Sequence, residues 1–184
     1  MQAWKRINPT VVTEVGHRVI VSKTFLMPDG TQAKFETYDT EGRQYVAVIG
    51  LTTDNRVVVA KQFRAGPERT MFELPGGAVE SGETLISAVA RELLEETGFE
   101  AKKLQYLGHC HKDEKFNAVH HYFIGFGCHK VTDQQILDQD EHIEIVSLPV
   151  ADFINCAKKT ELTDTHAVLL AYDTLKSLEE SNHD

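Results

Sequence analysis

Cysteine is scarce and positive charge is in deficit. The 184 residues contain three cysteines, Cys110, Cys128 and Cys156. Odd in number and widely spaced, they build neither a disulfide framework nor a Cys-x-x-Cys metal site, and they read as free, reduced thiols. Long apolar runs are also missing: no window reaches the roughly 18 uninterrupted apolar residues that a membrane helix needs. The opening MQAWKRINPT lacks the apolar stretch and small-residue cleavage pattern of a secretory leader, so a cytoplasmic location is expected. Lysine and arginine number 19 against 28 aspartates and glutamates, a formal charge of −9. That is the opposite of the basic footprint of a nonspecific nucleic-acid binder, so neither nucleic acid nor membrane is expected as a partner. Internal repeats and low-complexity linkers are absent too. What is present is ordinary for a globular chain, 41% hydrophobic and 26% charged, and long enough for one core with a small appendage.

Residues 11–38 read as short β segments, VVTEV, RVIVSKTF and QAKFETY, with the turn former MPDGT between the last two. A small antiparallel sheet is expected there. From Tyr45 onward YVAVIGL and RVVVAKQF form β-branched runs joined by a Thr53-Asp54-Asn55 turn, the pattern of a buried hairpin. Residues 1–42 are thus expected to form an N-terminal β region and residues 43–184 the main domain. MFELPGGAVESGE, with Pro75, Gly76, Gly77 and Gly82, reads as a loop. A helix over LISAVARELLEET follows, capped by Thr84 or Ser81 and ended by Gly98. Further strands are expected at KLQYLGHC, AVHHYFIGFGC and HIEIVSLP, and helices at VADFINCAKK and THAVLLAYDTLKSL.

On the helix after the glycine loop, Ile86, Val89, Ala90 and Leu93 share one face at about 100° per residue, which predicts a core-facing stripe. Glu92 and Glu96 stack four apart on a neighbouring face, with Glu95 one step around. Carboxylates at that spacing repel by a few tenths of a kcal/mol per pair unless a cation lies between them. A hard divalent ion such as Mg²⁺ takes carboxylates, water and phosphate oxygens together. Gly76 and Gly77 let the backbone approach a ligand closely.

The spacing is specific: Gly77, five residues, Glu83, seven residues, then Arg91-Glu92-Leu93-Leu94-Glu95-Glu96-Thr97-Gly98-Phe99. It resembles the signature of the Nudix hydrolases at every fixed position. The resemblance implies an α/β/α sandwich on a mixed sheet, preceded here by the N-terminal antiparallel β region. It also implies hydrolysis of a nucleoside diphosphate linked to another group with Mg²⁺, or Mn²⁺ in its place. By motif position, Glu92 and Glu96 are implied metal ligands together with the Gly76 carbonyl. Glu95 ligates the metal or handles the water, and Arg91 and Glu83 orient the helix and loop through a salt bridge.

AKQFRAGPERTMFELPGGAVESGE further resembles the ADP-ribose pyrophosphatase and nucleotide-sugar hydrolase branch. That branch implies a homodimer through the N-terminal β region, which helps build the nucleoside pocket. Arg64 becomes a candidate phosphate clamp, Glu73 a candidate polar contact to substrate, and Phe35 and Tyr38 candidates to stack a base. In QDEHIEIVSLPV, Glu141 is the candidate for a further metal-ligating or water-activating acid, with Asp140 and Glu144 as competitors. Two positions depart from the branch: Gln139 stands where some members carry a catalytic glutamate, and Lys115 where ADP-ribose enzymes often have proline. The expected substrate is a nucleoside diphosphate sugar of the ADP-ribose or GDP-mannose type. Dinucleoside polyphosphates, CoA and noncatalytic sensing of a nucleotide sugar are the alternatives. His109, Cys110, His111, His120 and His121 are not read as a zinc site, since adjacent strand residues point to opposite faces. No Gly-x-Ser-x-Gly elbow marks a serine nucleophile.

Overall fold

A computed structural model describes residues 2–16, 18–38, 41–137 and 142–181. The chain divides into two compact units, Met1–Gln44 with His111–Val119, and Tyr45–Cys110 with His120–Asp184.

The first unit is built on strands β1 (Lys5–Arg6), β2 (Val11–Val15), β3 (Arg18–Leu26) and β4 (Gln32–Tyr38). β3 is central, pairing antiparallel with β4 along one edge and with β1 and β2 along the other. The β3–β4 turn forms where MPDGT predicts it. Gly30 takes a φ of 86°, and Asp29 accepts hydrogen bonds from the Thr31 amide and hydroxyl at 2.9 and 2.7 Å. Residues 111–119 join this sheet: the Tyr38 amide donates to Lys115 O and the Asn117 amide to Tyr38 O, at 2.6 and 2.9 Å. All of β2 is exposed, including Val11, Val12 and Val15. Among the described residues no strand pairs with its outer edge.

The second unit carries strands β5 (Gln44–Thr52), β6 (Arg56–Arg64), β7 (Arg69–Glu73), β8 (Gly76–Ala78), β9 (Phe99–Glu100), β10 (Lys103–Cys110), β11 (Val119–Lys130) and β12 (Glu144–Pro149). Its helices are α1 (Leu85–Thr97), α2 (Val150–Lys158), α3 (Thr165–Leu170) and α4 (Tyr172–Ser181). The sheet order is β10-β11-β5-β6-β12, with β7 on β6, β8 on β5 and β9 on β11. Strand alternation sorts the side chains into two cores. Val46, Val48 and Phe123 pack with Ala88, Val89 and Leu93 of α1. Ala47, Ile49, Leu51, Tyr122 and Ile124 pack with Phe153, Ile154, Val168 and Leu175 of α2–α4. Helices on both faces explain why β5 is apolar without a break. The expected α/β sandwich with its N-terminal antiparallel sheet is the fold observed.

Three local expectations are corrected. MFELPGGAVESGE is not all loop, because Met71–Glu73 completes β7 and Gly76–Ala78 pairs with Tyr45–Ala47. Neither Gly76 nor Gly77 has a positive φ; a Cβ on Gly76 would lie 2.7 Å from Ala47 Cα, so glycine is needed there for close strand approach. THAVLLAYDTLKSL is not one continuous helix but α3 and α4, parted at Ala171. On α1, Ile86 and Ala90 are exposed, and the inward stripe is Leu85, Ala88, Val89 and Leu93.

Candidate active site

Local chemistry fixes both ends of α1. Thr84 caps the N-terminus through a reciprocal pair of bonds with Ser87, and Gly98 ends the helix at φ 73° with its amide on Leu94 O. Further carbonyls near the C-terminus are also taken. Leu93 O accepts from the Thr97 hydroxyl, Glu95 O from the Ile136 amide at 2.8 Å, and Glu96 O from Gln135 Nε2. The orphan acceptors of Leu94, Glu95 and Glu96 thus have donors, which holds the segment carrying Glu95 and Glu96 in place.

With the inward stripe corrected, Glu92 and Glu96 fall on the buried face itself, in line with Leu85 and Val89 at 3.6 residues per turn. Glu96 is only 8% exposed, and its Oε2 accepts the Gly76 amide at 3.1 Å. The Glu92 carboxylate lies against Gly77, where an added Cβ would sit 2.7 Å from Glu92 Cδ. Strand β8 and the inner face of α1 thus meet through two glycines and two carboxylates.

Arg91 ties the surrounding acids together. Its Nε and Nη2 each donate to one oxygen of Glu83 at 3.0 Å, and Nη1 donates to Glu92 Oε1 at 2.8 Å and Glu95 Oε2 at 3.1 Å. Nη2 also reaches Ala78 O at 3.1 Å. Hydrogen bonding from Arg91 holds the Glu83 carboxyl below its usual range, while Glu83 first, then Glu92 and Glu95, raise the guanidinium further above its own. Three carboxylates meet this one guanidinium, and Glu96 adds a fourth further along the helix on the Gly76 amide, which leaves an excess of negative charge. Among the described residues no three carboxylate, imidazole or thiolate groups converge into a metal cage. Mg²⁺ needs none, because it is usually held by one or two carboxylates with water and substrate phosphate oxygens completing the shell. The oxygen donors and the charge excess fit such an ion.

Arg64 and Glu73 form a two-pronged ion pair, Nε to Oε1 and Nη2 to Oε2, and Gln62 Nε2 donates to Glu73 Oε2 at 3.3 Å. Glu73 is buried, whereas the Arg64 side chain is 44% exposed. Glu73 therefore holds the partly exposed Arg64 guanidinium in place. An open groove of about 580 Å³ adjoins Gln62, lined also by Phe63, Thr70, Gln135, Leu137 and His142.

Phe35 and Tyr38 belong to the N-terminal unit, both exposed; Phe35 packs near Trp4 and Phe25, Tyr38 near Phe116. Glu144 pairs with Lys61 at 3.0 Å. Gln139, Asp140 and Glu141 lie outside the described residues. Cys128 is buried, its thiol pushed up to about 11 by desolvation, which suits core packing and not nucleophilic work. Sequence reasoning missed Gln135 and Asp164, neither of which carries a local motif signal, and assigned no role to Gln62, which stands in the AKQFRAGPERT segment.

The Nudix domain model matches residues 42–172, more than half of the chain. The chain belongs to the Nudix family. This Nudix hydrolase is 32% identical over 152 residues to an ADP-ribose pyrophosphatase of Bacillus subtilis (strain 168), covering 82% of this chain and 81% of that protein. It is 29% identical over 144 residues to a methanol dehydrogenase activator of Bacillus methanolicus, covering 78% and 77% respectively. A crystal structure of an ADP compounds hydrolase superposes with a TM-score of 0.81 over 96% of each chain at 20% identity, a likeness of fold. Among the described residues no helix is long and apolar enough to cross a membrane.

Proposed function

We propose that this Nudix hydrolase cleaves the pyrophosphate bond of a nucleoside diphosphate sugar, of the ADP-ribose or GDP-mannose type, to a nucleoside monophosphate and a sugar phosphate. The observation that carries this is the carboxylate set of α1: Glu92 and Glu95 held by Arg91, Glu92 lying against Gly77, and Glu96 accepting the Gly76 amide. Likeness to the Bacillus subtilis ADP-ribose pyrophosphatase supports the substrate class.

Glu92, Glu96 and the Gly76 carbonyl would hold Mg²⁺, or Mn²⁺ in its place, with Glu95 beside them. When bound, the cation supplies neutralisation of the diphosphate charge and a more acidic water. Glu95, more exposed than Glu92, is the candidate to take a proton from the attacking water, with Glu141 as the second candidate. Arg91 and Glu83 act on position: the guanidinium spans Glu83, Glu92, Glu95 and Ala78 O, locking the helix to the segment before it. Arg64, aimed by Glu73, clamps a phosphate oxygen. The groove beside Gln62 has the volume of a small-molecule site. Phe35 and Tyr38 are the aromatics offered to the base.

The protein acts as a homodimer through its N-terminal sheet. An exposed edge strand with valines on both faces invites pairing, and a second copy of the same strand would cover it.

The test is a panel of nucleotide sugars, dinucleoside polyphosphates and CoA incubated with purified protein and Mg²⁺, with products identified. Nucleoside monophosphate release from ADP-ribose or GDP-mannose is expected. Binding of a nucleotide sugar without product would instead favour a sensor.

A further inference from the structure

The strand-to-strand link that carries the site has few backbone groups of its own. Between β7 and β8 lie only Leu74 and Pro75. Pro75 has no N–H, and its carbonyl accepts the Val48 amide at 3.0 Å. The next amide, that of Gly76, is already given to Glu96. The only other N–H of the link, that of Leu74, donates to Asp164 Oδ2 at 3.2 Å, across 90 residues of sequence.

Asp164 stands at the N-terminus of α3, where an aspartate usually accepts from amides of its own helix. Here its side chain makes no capping bond. Asp164 is 5% exposed, and its carboxylate turns instead to Leu74, with the Thr163 hydroxyl donating to the same oxygen at 3.0 Å. The neighbouring chain reinforces this docking: the Phe72 amide donates to Glu161 O at 2.9 Å and the Thr163 amide to Phe72 O at 3.0 Å. A buried carboxylate withheld from its own helix is a costly choice unless it fixes something else.

We propose that Asp164 is the positioning residue of the glycine link, its carboxylate fixing the Leu74 amide so that Glu73 meets Arg64 on one side and the Gly76 amide meets Glu96 on the other. Asp164 touches neither substrate nor metal ligand directly; it acts through Leu74. The consequence for metal binding rests on the hydrolase reading above, whereas the consequence for the link does not. Groups that orient ligands from behind typically change metal affinity or activity by about 10–100-fold when removed.

The experiment compares wild type, Asp164→Ala and Asp164→Asn by amide hydrogen exchange at Leu74 and Gly76 and by Mn²⁺ titration followed by electron paramagnetic resonance. The metal dependence of turnover on the best substrate is measured alongside. The alanine variant should exchange both amides at least about 10-fold faster, weaken Mn²⁺ about 10-fold or more, and lower kcat with KM nearly unchanged. Asparagine keeps a carbonyl acceptor for both donors and should restore all three to within about 3-fold of wild type. Unchanged Leu74 and Gly76 exchange in the alanine variant would overturn the proposal, as would an asparagine variant no better than alanine. Should wild type turn over no substrate, the hydrolase reading fails, while the exchange measurement still decides the role of Asp164.

Discussion

Gly77 and Glu92 are in contact across the junction of β8 and α1, so close that a side chain of even one carbon on Gly77 would sit 2.7 Å from Glu92 Cδ. Gly77 therefore leaves room for the Glu92 carboxylate in its present position, and its own backbone, whose φ is not positive, does not call for glycine. Replacing Gly77 by Ala should push the Glu92 carboxylate aside and cost about 10²-fold in kcat, the scale associated with displacements near 1 Å at a reacting centre. Thermal unfolding should change far less than turnover. Steady-state kinetics with calorimetry on the same preparation checks both.

Arg91 joins Glu83, Glu92 and Glu95 together. Truncation to Ala leaves three crowded carboxylates without their shared cation and should destabilise the fold by about 3 kcal/mol. Divalent cation should recover part of that loss, so Mn²⁺ is expected to raise the Tm of Arg91→Ala more than that of wild type.

The Glu83 carboxyl is held below its usual 4.5 by hydrogen bonds from Arg91. The stability this pair contributes is fully present above about pH 4.5 and disappears as the pH falls through the lower folded value. The Tm gap between wild type and Glu83→Gln should therefore be constant near neutrality and close in acid. A gap independent of pH would contradict the assignment.

His109 and His121 face each other across β10 and β11, and the Tyr106 hydroxyl lies 3.1 Å from Nδ1 of each. Burial, then the His109 charge, moves the His121 pKa below its usual 6.5. Below that value the unfolded chain takes up a proton before the folded one does, so stability falls as pH drops from about 6.5. His121→Gln should flatten that slope, which denaturant unfolding at several pH values would reveal.

Val12, 55% exposed on edge strand β2, is expected at the interface between two copies. Val12→Lys should convert a dimer to a protomer in light scattering behind size exclusion, because lysine on an edge disfavours strand pairing.

How much of this was legible in the sequence depends on distance along the chain. The ends of α1 could be read because Thr84 and Gly98 act locally, and the Glu83–Arg91 pair because the motif sets both members eight residues apart. Glu92 and Glu96 occupy the inward face of α1, so apolar periodicity alone points to Ile86 and Ala90 instead. Gly76 and Gly77 read as turn punctuation, since nothing local distinguishes a glycine that turns from one that lets a strand approach. Asp164 and Gln135 were invisible because their partners, Leu74 and the Glu96 carbonyl, lie 90 and 39 residues away.

The proposed chemistry needs the acids of α1 to hold a divalent cation where a diphosphate is cut. Anomalous diffraction from Mn²⁺-soaked crystals would locate that ion. A peak is expected between Glu92 and Glu96, and it should vanish in Glu96→Gln together with turnover. A peak-free map at that position, or full activity retained by Glu96→Gln, would contradict it.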